Sequence, residues 1–522
     1  MLFTSYPFIA FIAILLFAYY LVPRRVQAPL LLLASCAFYA FSGWENLFFI
    51  AFTVLTVWAG GVLLEKNLIR QKERLAAGEL SPEEKKAIRE GEKKKRKRLL
   101  AAVLLLNLAV LATVKYLGFF LESVNGVFGT AFGTPSDWIV PMGISFYTFQ
   151  SIGYLVDVYR GTVPAQRNLW KLALFVSFFP QLVQGPISRY GDLSKTLFDP
   201  HPFRFGVLRR GLLRVLWGYF KKMVIADRLA VAVIAMTGGK DRGGFALALL
   251  FLYTIQLYAD FTGGIDITIG LAEALGVTVA ENFRRPYCAV SLKDYWRRWH
   301  ISMCSWFRDY LFYPVSTSRL MRSLTKGAKK AFGDKAGRKV PLYLSSLIVW
   351  GTTGLWHGAN WNFVMWGLAN WAVLMISQEC EGLYAAFHKR FPKTEGFGWR
   401  VFAVGRTFLL VAAMNLFDCY TTLGGTFGAF FSIFDPAAWA GFEPAGLLSL
   451  GLSGADFILT GICVVLMFGI SLMGAKGDVR DRLARKPFAL RLVLVVLLLF
   501  VVLIFGAYGR GYDAGQFIYN RF

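Results

Sequence analysis

Apolar runs long enough to cross a lipid bilayer recur along this chain, separated by polar connections. A helix needs ~20 residues to span the ~30 Å hydrocarbon core of a membrane. We count about eleven such runs, at residues 2–22, 28–44, 46–64, 99–121, 206–236, 244–274, 341–357, 360–377, 401–416, 455–474 and 488–508. Backbone polar groups in lipid must be satisfied within the chain, which favours helices. The sequence therefore predicts an all-α polytopic membrane protein with about eleven transmembrane helices.

The charged residues lie largely between the apolar runs and are mostly basic. The 522 residues include 57 Lys and Arg against 32 Asp and Glu, a formal net charge of +25. Residues 66–98 hold 13 basic residues, 319–339 hold eight and 476–491 hold six, whereas 417–456 hold none. This alternation is the positive-inside pattern, and it explains the charge better than a nucleic acid partner, which we do not expect. It predicts that the basic segments are cytoplasmic, and that the N-terminus, residues 417–456 and the C-terminal tail lie outside.

The basic segment 66–98 predicts a solvated helical hairpin on the cytoplasmic side. The sequence Ser81-Pro82-Glu83-Glu84 is typical of a helix start, and Glu and Lys pairs follow at helical spacing. The KKKRKR end of the segment is suited to contact anionic membrane lipids. We assign this segment no catalytic role.

Helix-breaking residues interrupt the apolar sequence between residues 140 and 186. They are Pro141, Gly143 and Gly153, followed by Phe179-Pro180-Gln181 and Gln184-Gly185-Pro186. Irregular backbone at membrane depth is tolerated where it is buried in protein or lines a cavity. These interruptions therefore predict re-entrant segments rather than plain spans.

The stretch from Glu281 to Tyr310 is dense in both aromatic and charged residues. Interpreted as one helix from Asp294, it has an apolar face beside a polar one. The apolar face holds Trp296, Trp299, Met303, Trp306 and Tyr310, and the polar face holds Arg297, His300, Cys304 and Arg308. Such a helix suits a membrane interface. His300 is then either one more interfacial polar group or a functional residue.

A second histidine in an apolar setting, His357, lies within GTTGLWHGANWNFVMWG. Ionisable groups inside a membrane are functional by default, and burial keeps a histidine in the neutral form that a general base requires. Asn360 and Trp361 offer hydrogen-bond donors to a carbonyl or a sugar. A histidine that caps the end of a packed helix is the alternative, and residue chemistry alone leaves both open.

Other chemistries have weaker signals. His300 and His357 lie 57 residues apart and show no HxxH or HExxH spacing, so we expect no metal site. No G-x-S-x-G sequence marks a nucleophilic serine. The six cysteines include no CxxC pair and predict no disulfide framework.

Four sequence segments, taken together with the spacing between them, cover most of residues 100–370. They are PMGISFYTFQSIGYLVDVYRG, FFPQLVQGPISRY, ENFRRPYCAVSLKDYWRRWHISMCSWFRDYLFYP and GLWHGANWNFVMWG. Together they resemble the membrane-bound O-acyltransferase (MBOAT) family, and most of all its bacterial alginate O-acetyltransferase branch. The resemblance implies a single domain over residues 1–522, built as an MBOAT-like helical bundle with re-entrant segments and a central funnel. It also implies a multi-pass protein of the bacterial inner membrane.

The resemblance also implies a chemistry and its residues. It places His357 on the family's invariant histidine and His300 on its second active-site position, for transfer of an acyl group to a hydroxyl. His357 would act as general base, or as the carrier of a covalent acyl group, while His300 orients the reacting group or stabilises the oxyanion. Candidate supporting residues are Trp296, Arg297, Arg298, Trp299, Arg308, Asp309, Trp356, Asn360 and Trp361.

Three positions depart from the family pattern. The chain reads ADFTGGIDITIG where alginate-type members read DFSGYSD, it has Asn370 where many have a third histidine, and it ends in FIYNRF instead of FIYFQF. The two core histidines are unaffected. The departures concern the acceptor, so an extracytoplasmic polysaccharide is a firmer expectation than alginate.

The resulting expectation is acetyl transfer across the membrane. Acetyl-CoA is the expected co-substrate rather than a tightly bound cofactor, and it would approach from the basic cytoplasmic side. The acceptor is a polysaccharide such as alginate, or a serine of an extracytoplasmic partner protein. The alternatives are related enzymes that act on peptidoglycan or transfer D-alanine to teichoic acid, a transporter, and a structural assembly subunit.

Overall fold

The computed structural model describes residues 3–77, 80–133, 140–392 and 396–508. Every regular element in those ranges is helical. The predicted extracytoplasmic tail at 509–522 lies outside the described residues. The chain forms two compact units, one of residues 1–211 and 268–280, and one of residues 212–267 and 281–522.

The helices are numbered in chain order. They are α1 (Tyr6–Leu21), α2 (Gln27–Ala40), α3 (Asn46–Ala76), α4 (Pro82–Phe128), α5 (Ile144–Arg160), α6 (Leu169–Ser177), α7 (Phe179–Leu182), α8 (Tyr190–Leu197), α9 (Phe205–Tyr219), α10 (Asp227–Thr237), α11 (Gly244–Ala274), α12 (Leu292–Trp296), α13 (Ile301–Phe307), α14 (Tyr313–Ser316), α15 (Arg319–His357), α16 (Trp361–Glu379), α17 (Glu381–Arg390), α18 (Phe397–Cys419), α19 (Leu423–Ser432), α20 (Gly454–Met473), α21 (Val479–Ala484) and α22 (Phe488–Phe505).

The first unit is organised around α3, which packs against α4, α5 and α6. The predicted hairpin is confirmed as helical, since α4 begins at Pro82 after a capping box in which Ser81 and Glu84 exchange hydrogen bonds. The hairpin is not solvated throughout. Glu92 is buried, accepts a hydrogen bond from Asn67 and forms ion pairs that include Arg74.

The backbone of the first unit is irregular where proline and glycine predict it, with one exception. Gly143 has a positive φ, and a Cβ there would lie 2.1 Å from the Leu182 carbonyl oxygen, so only glycine fits. Helix α6 ends at Ser177, α7 is a single turn, and residues 183–189 form no regular helix. The predicted break at Gly153 is wrong, because this residue lies inside the continuous helix α5.

The second unit contains the pair α15 and α16, with α18 packed against α16 and α19 against α18. The predicted apolar run 206–236 is not one helix here. A π-helical segment, Phe220–Ala226, separates α9 from α10. Lys222 in this segment lies 2.6 Å from carboxylate oxygens of both Asp227 and Asp260, and all three side chains are buried.

Within the described ranges, six helices, α3, α4, α11, α18, α20 and α22, are long and apolar enough to cross a membrane. Helix α1 is apolar but only 16 residues long. The chain is therefore a multi-pass membrane protein built from helices, as the sequence predicts. The count of about eleven spans stays a prediction.

Candidate active site

The segment from Asp294 to Tyr310 is not the single helix that its periodicity predicts. Helix α12 ends at Trp296 and α13 begins at Ile301, while residues 308–312 are π-helical. Between the two helices His300 adopts the left-handed conformation, with φ of 45°. This conformation is costly for a residue with a side chain and persists only where the surroundings impose it.

Asn282 supplies the constraint on His300. Its side-chain oxygen accepts hydrogen bonds from the Ser302 backbone N–H at 2.9 Å and the Ser302 hydroxyl at 3.0 Å. Its backbone carbonyl accepts a third from the Ile301 N–H at 3.0 Å. The start of α13 at Ile301 is thereby attached to a residue 19 positions earlier in the chain, which turns the backbone at His300.

The imidazole of His300 is buried in aromatic surroundings. It is 1% exposed, its Nδ1 lies 3.3 Å from the side-chain oxygen of Asn282, and the ring of Phe261 meets it edge-on at 5.0 Å. An amide oxygen only accepts, so Nδ1 carries a proton and Nε2 is the basic nitrogen. His300 lies outside the six membrane-length helices, and burial, with a smaller contribution from His357, lowers its pKa well below 6.5. His300 is therefore neutral at pH 7.

His357 is the last residue of α15 and lies on the contact with α16. Its ring centroid is 4.5 Å from that of Trp366 on α16 and 5.1 Å from that of Trp356. The close approach of the helices requires glycine, because a Cβ at Gly354 would lie 2.4 Å from the Phe363 carbonyl oxygen. The glycine-rich sequence around His357 thus sets the spacing of the two helices.

A cavity of about 30 Å³ lies beside His357 within the second unit, enough for a water-sized group. Its wall is formed by Leu257, Phe261, Tyr295, Trp296, Trp299, His357, Trp366, Asn370, Val411, Met414, Asn415 and Asp418. His300 does not line this cavity. Trp356 contacts the rings of both histidines, with its ring centroid 5.8 Å from that of His300 and 5.1 Å from that of His357.

The structure places the predicted supporting residues in two groups. Trp296 and Trp299 line the cavity, and Trp296 Nε1 donates a hydrogen bond to the Asn370 side-chain oxygen at 3.1 Å. The others lie away from its wall: Arg297 is exposed, Arg298 pairs with Asp294 at 2.9 Å, Arg308 pairs with Asp309 at 2.8 Å, Asn360 caps the start of α16, and Trp361 is 55% exposed.

Three polar residues of the cavity wall were not among the predicted site residues. The sequence indicates Asn370 only as a departure from the family pattern. Asn415 lies at the end of the apolar run 401–416, and Asp418 lies two residues beyond that run. The available signal is their position, because polar side chains at membrane depth usually mark functional sites. Among the described residues, no three His, Cys, Asp or Glu side chains form a group that could hold a metal ion.

Comparison with known proteins identifies the family of the chain. Residues 163–328 match the family model of membrane-bound O-acyltransferases. The chain is 35% identical over 376 residues to the probable alginate O-acetylase AlgI of Azotobacter vinelandii, which is 70% of this chain and 66% of that protein. It is 33% identical over 444 residues to the probable alginate O-acetylase AlgI of Pseudomonas syringae pv. tomato, which is 83% of this chain and 76% of that protein. This chain belongs to the membrane-bound O-acyltransferase family.

Membership of the membrane-bound O-acyltransferase family makes the chain an acyltransferase. A more distant relative is the peptidoglycan O-acetyltransferase of Helicobacter pylori, 29% identical over 359 residues, which is 62% of this chain and 64% of that protein. The aligned part of the chain thus spans between about two thirds and three quarters of these relatives' lengths.

Proposed function

We propose that this protein is an O-acetyltransferase of the bacterial inner membrane that acetylates hydroxyls of an extracytoplasmic polysaccharide, with His357 as general base. The observation that carries the proposal is His357 on the wall of a cavity that also contains one carboxylate and two amide side chains. The chain belongs to an acyltransferase family, and its relatives with 35% and 33% identity are named probable alginate O-acetylases.

The proposed reaction needs one base and one acyl donor. His357 takes the proton of the acceptor hydroxyl, whose oxygen attacks the carbonyl carbon of the donor thioester. The resulting intermediate expels the thiolate, and the protonated His357 returns its proton to the sulfur. Asp418 is the one acidic residue on the cavity wall that His357 also lines.

His300 has an indirect role in this scheme. It does not line the cavity, but its ring contacts that of the wall residue Phe261. It also contacts Trp356, whose ring lies 5.8 Å from that of His300 and 5.1 Å from that of His357, centroid to centroid. It therefore orients the catalytic histidine and its tryptophan neighbour. Acyl transfer through a covalent acyl-His357 remains the alternative chemistry for the same site.

Acetyl-CoA is the proposed donor, entering from the cytoplasmic side, and the N-terminus is extracytoplasmic. The acceptor is the polysaccharide itself or a serine of a partner protein that completes the transfer. Peptidoglycan is the second candidate acceptor, because a peptidoglycan O-acetyltransferase is among the relatives.

The test replaces His357 and measures product on the cell surface. Strains carrying wild type, His357→Gln or His357→Ala are compared by mass analysis of acetyl groups on secreted polysaccharide and on peptidoglycan. We expect loss of polysaccharide acetylation by ~10²–10⁴-fold with normal membrane insertion. Wild-type acetylation by a well-folded His357→Ala protein would contradict the mechanism, and loss confined to peptidoglycan would assign the second acceptor.

Thioester cleavage by the purified protein distinguishes an enzyme from a transporter. Purified wild-type protein should release acetyl groups from acetyl-CoA, and His357→Ala should not. Uptake of a solute into proteoliposomes without any thioester cleavage would favour a transporter instead.

A further inference from the structure

A second cavity, of about 590 Å³, lies within the second unit on a different face of α11. Helix α11 contributes Leu257 and Phe261 to the catalytic cavity, but Tyr258, Thr262 and Asp266 to this one. No residue lines both. The aromatic pair Phe283 and Trp299, with ring centroids 5.0 Å apart, has one member on each wall. The larger cavity is therefore a site distinct from the catalytic cavity.

The polar part of this cavity has an excess of positive charge. Five basic side chains face three carboxylates on its wall: Arg214, Lys221, Arg284, Arg285 and Arg480 against Asp266, Glu281 and Asp478. The carboxylates are already in ion pairs. Arg214 contacts Asp266 and Glu281, Lys221 contacts Asp266 at 2.6 Å, and Arg480 contacts Asp478 at 3.0 Å.

Arg284 and Arg285 make up the excess. Neither forms an ion pair within 4.0 Å with any residue in the part of the chain that the structure describes. Arg284 is exposed and Arg285 is half-buried, so both guanidinium groups can reach a ligand in the cavity. Guanidinium pairs are suited to bind phosphate through two parallel hydrogen bonds.

The backbone at these two arginines is held in an unusual conformation. Arg285 has a φ of 53°, and the other non-glycine residue with positive φ in the described ranges is His300. The Arg284 N–H donates to the Arg298 carbonyl oxygen at 2.9 Å, which fixes the segment beside the start of α13. Left-handed non-glycine residues cluster at functional sites and ligand-binding positions.

Part of the apolar wall comes from α20, at Met467 and Ile470, and from α22, at Leu498. Helices α20 and α22 are both of membrane length, and only 17% and 6% of their most apolar windows are buried. The cavity lies at the α20 end, at Met467, Ile470 and Gly474, and continues into Val479 and Leu483. Basic residues beside the end of a membrane-length helix lie at the depth of the lipid headgroups, and an apolar wall next to them lies at the depth of the acyl chains.

We propose that this cavity binds the phosphate of an anionic phospholipid, with Arg284 and Arg285 on the phosphate and the proximal acyl chain against α20 and α22. A soluble phosphate compound shares the headgroup chemistry, but it would leave the apolar wall unfilled. The inference concerns binding and does not rest on the proposed function.

The test measures lipid binding by purified, delipidated full-length protein in a neutral detergent. The probes are phosphatidylglycerol, phosphatidylcholine, pyrophosphate and coenzyme A, followed by native mass spectrometry and by thermal stability. We expect phosphatidylglycerol to remain bound and to raise the melting temperature. The variant Arg284→Gln/Arg285→Gln should weaken phosphatidylglycerol binding about tenfold or more, since it removes charge-assisted hydrogen bonds.

The matched control is Arg319→Gln/Arg322→Gln, which removes two exposed positive charges from the start of α15 and should leave phosphatidylglycerol binding unchanged. Arg284→Gln alone, at an exposed position, provides a readout if the double variant does not fold. Equal binding of phosphatidylcholine, or unchanged phosphatidylglycerol binding by the variants, would overturn the proposal. So would stabilisation by coenzyme A or pyrophosphate without phosphatidylglycerol, which would assign the arginines to a soluble phosphate.

Discussion

Replacing Asn282 tests whether the fold positions His300 through a single amide. The Asn282 side chain is fully buried, and its oxygen lies within hydrogen-bond distance of three donors, two on Ser302 and one on His300. Each such bond contributes ~1 kcal/mol net, so Asn282→Ala should lower the free energy of unfolding by about 2–4 kcal/mol. Release of the left-handed backbone at His300 recovers part of that loss, about 1 kcal/mol or more.

The matched variant is Asn282→Asp, which keeps an acceptor in the same place and adds negative charge beside His300 Nδ1. Burial now holds the pKa of His300 well below 6.5 and favours the neutral ring. A carboxylate at position 282 favours the protonated ring and raises that pKa. The protonated form then appears at higher pH, and we expect the acid limb of the activity profile to move toward neutrality.

The assays are thermal unfolding in detergent and the rate of acetyl transfer between pH 5 and pH 8. Asn282→Ala should lose stability and activity together, whereas Asn282→Asp should keep most of its stability and change its pH profile. If both variants match the wild type in melting temperature and in pH profile, Asn282 does not hold His300, and the account of the backbone at this residue is wrong.

Three further predictions concern other parts of the chain. His201 and His388 are controls for His357: replacing either with Gln should leave acetyl transfer within about twofold, and a loss like that of His357→Ala would remove the site assignment. Cysteine-accessibility labelling should find residues 66–98 and 319–339 cytoplasmic and 417–456 outside, and labelling of 66–98 from outside would reverse the topology. Deleting part of the segment that joins α3 to α4, while leaving Glu92 and its partners intact, should not change turnover by folded protein; complete loss would mean that the hairpin has a catalytic role.

The helical class and the α3–α4 hairpin could be predicted because their causes are local. The apolar runs and the Ser81-Pro82-Glu83-Glu84 helix start act on residues next to them in sequence, and α4 begins where that start predicts. The run 206–236 shows the limit of this reasoning. The average hydropathy of this run is apolar. However, Lys221 and Lys222 form ion pairs with residues on α11, and the α-helix is replaced by a π-helical segment at those lysines.

The break at His300 could not be predicted from periodicity, because the apolar face of the stretch fits a continuous helix on both sides of it. Its cause is Asn282, which is distant in sequence and becomes a neighbour only in the folded chain. The cavity wall is likewise formed by residues that are distant in sequence and become neighbours only in the folded chain. Trp296, Asn370 and Asp418 come from three different helices, and each sequence window shows only one of them.

The two histidines, which look alike in sequence, differ in the structure in a way that bears on the chemistry. His357 lines the cavity, whereas His300 does not line it and is buried and neutral. In the proposed reaction His357 becomes positively charged when it takes the acceptor proton. A second positive charge on His300 would oppose that step, because like charges disfavour each other's ionisation in a buried site. Burial keeps His300 neutral and therefore removes a charge that would compete with the imidazolium of His357.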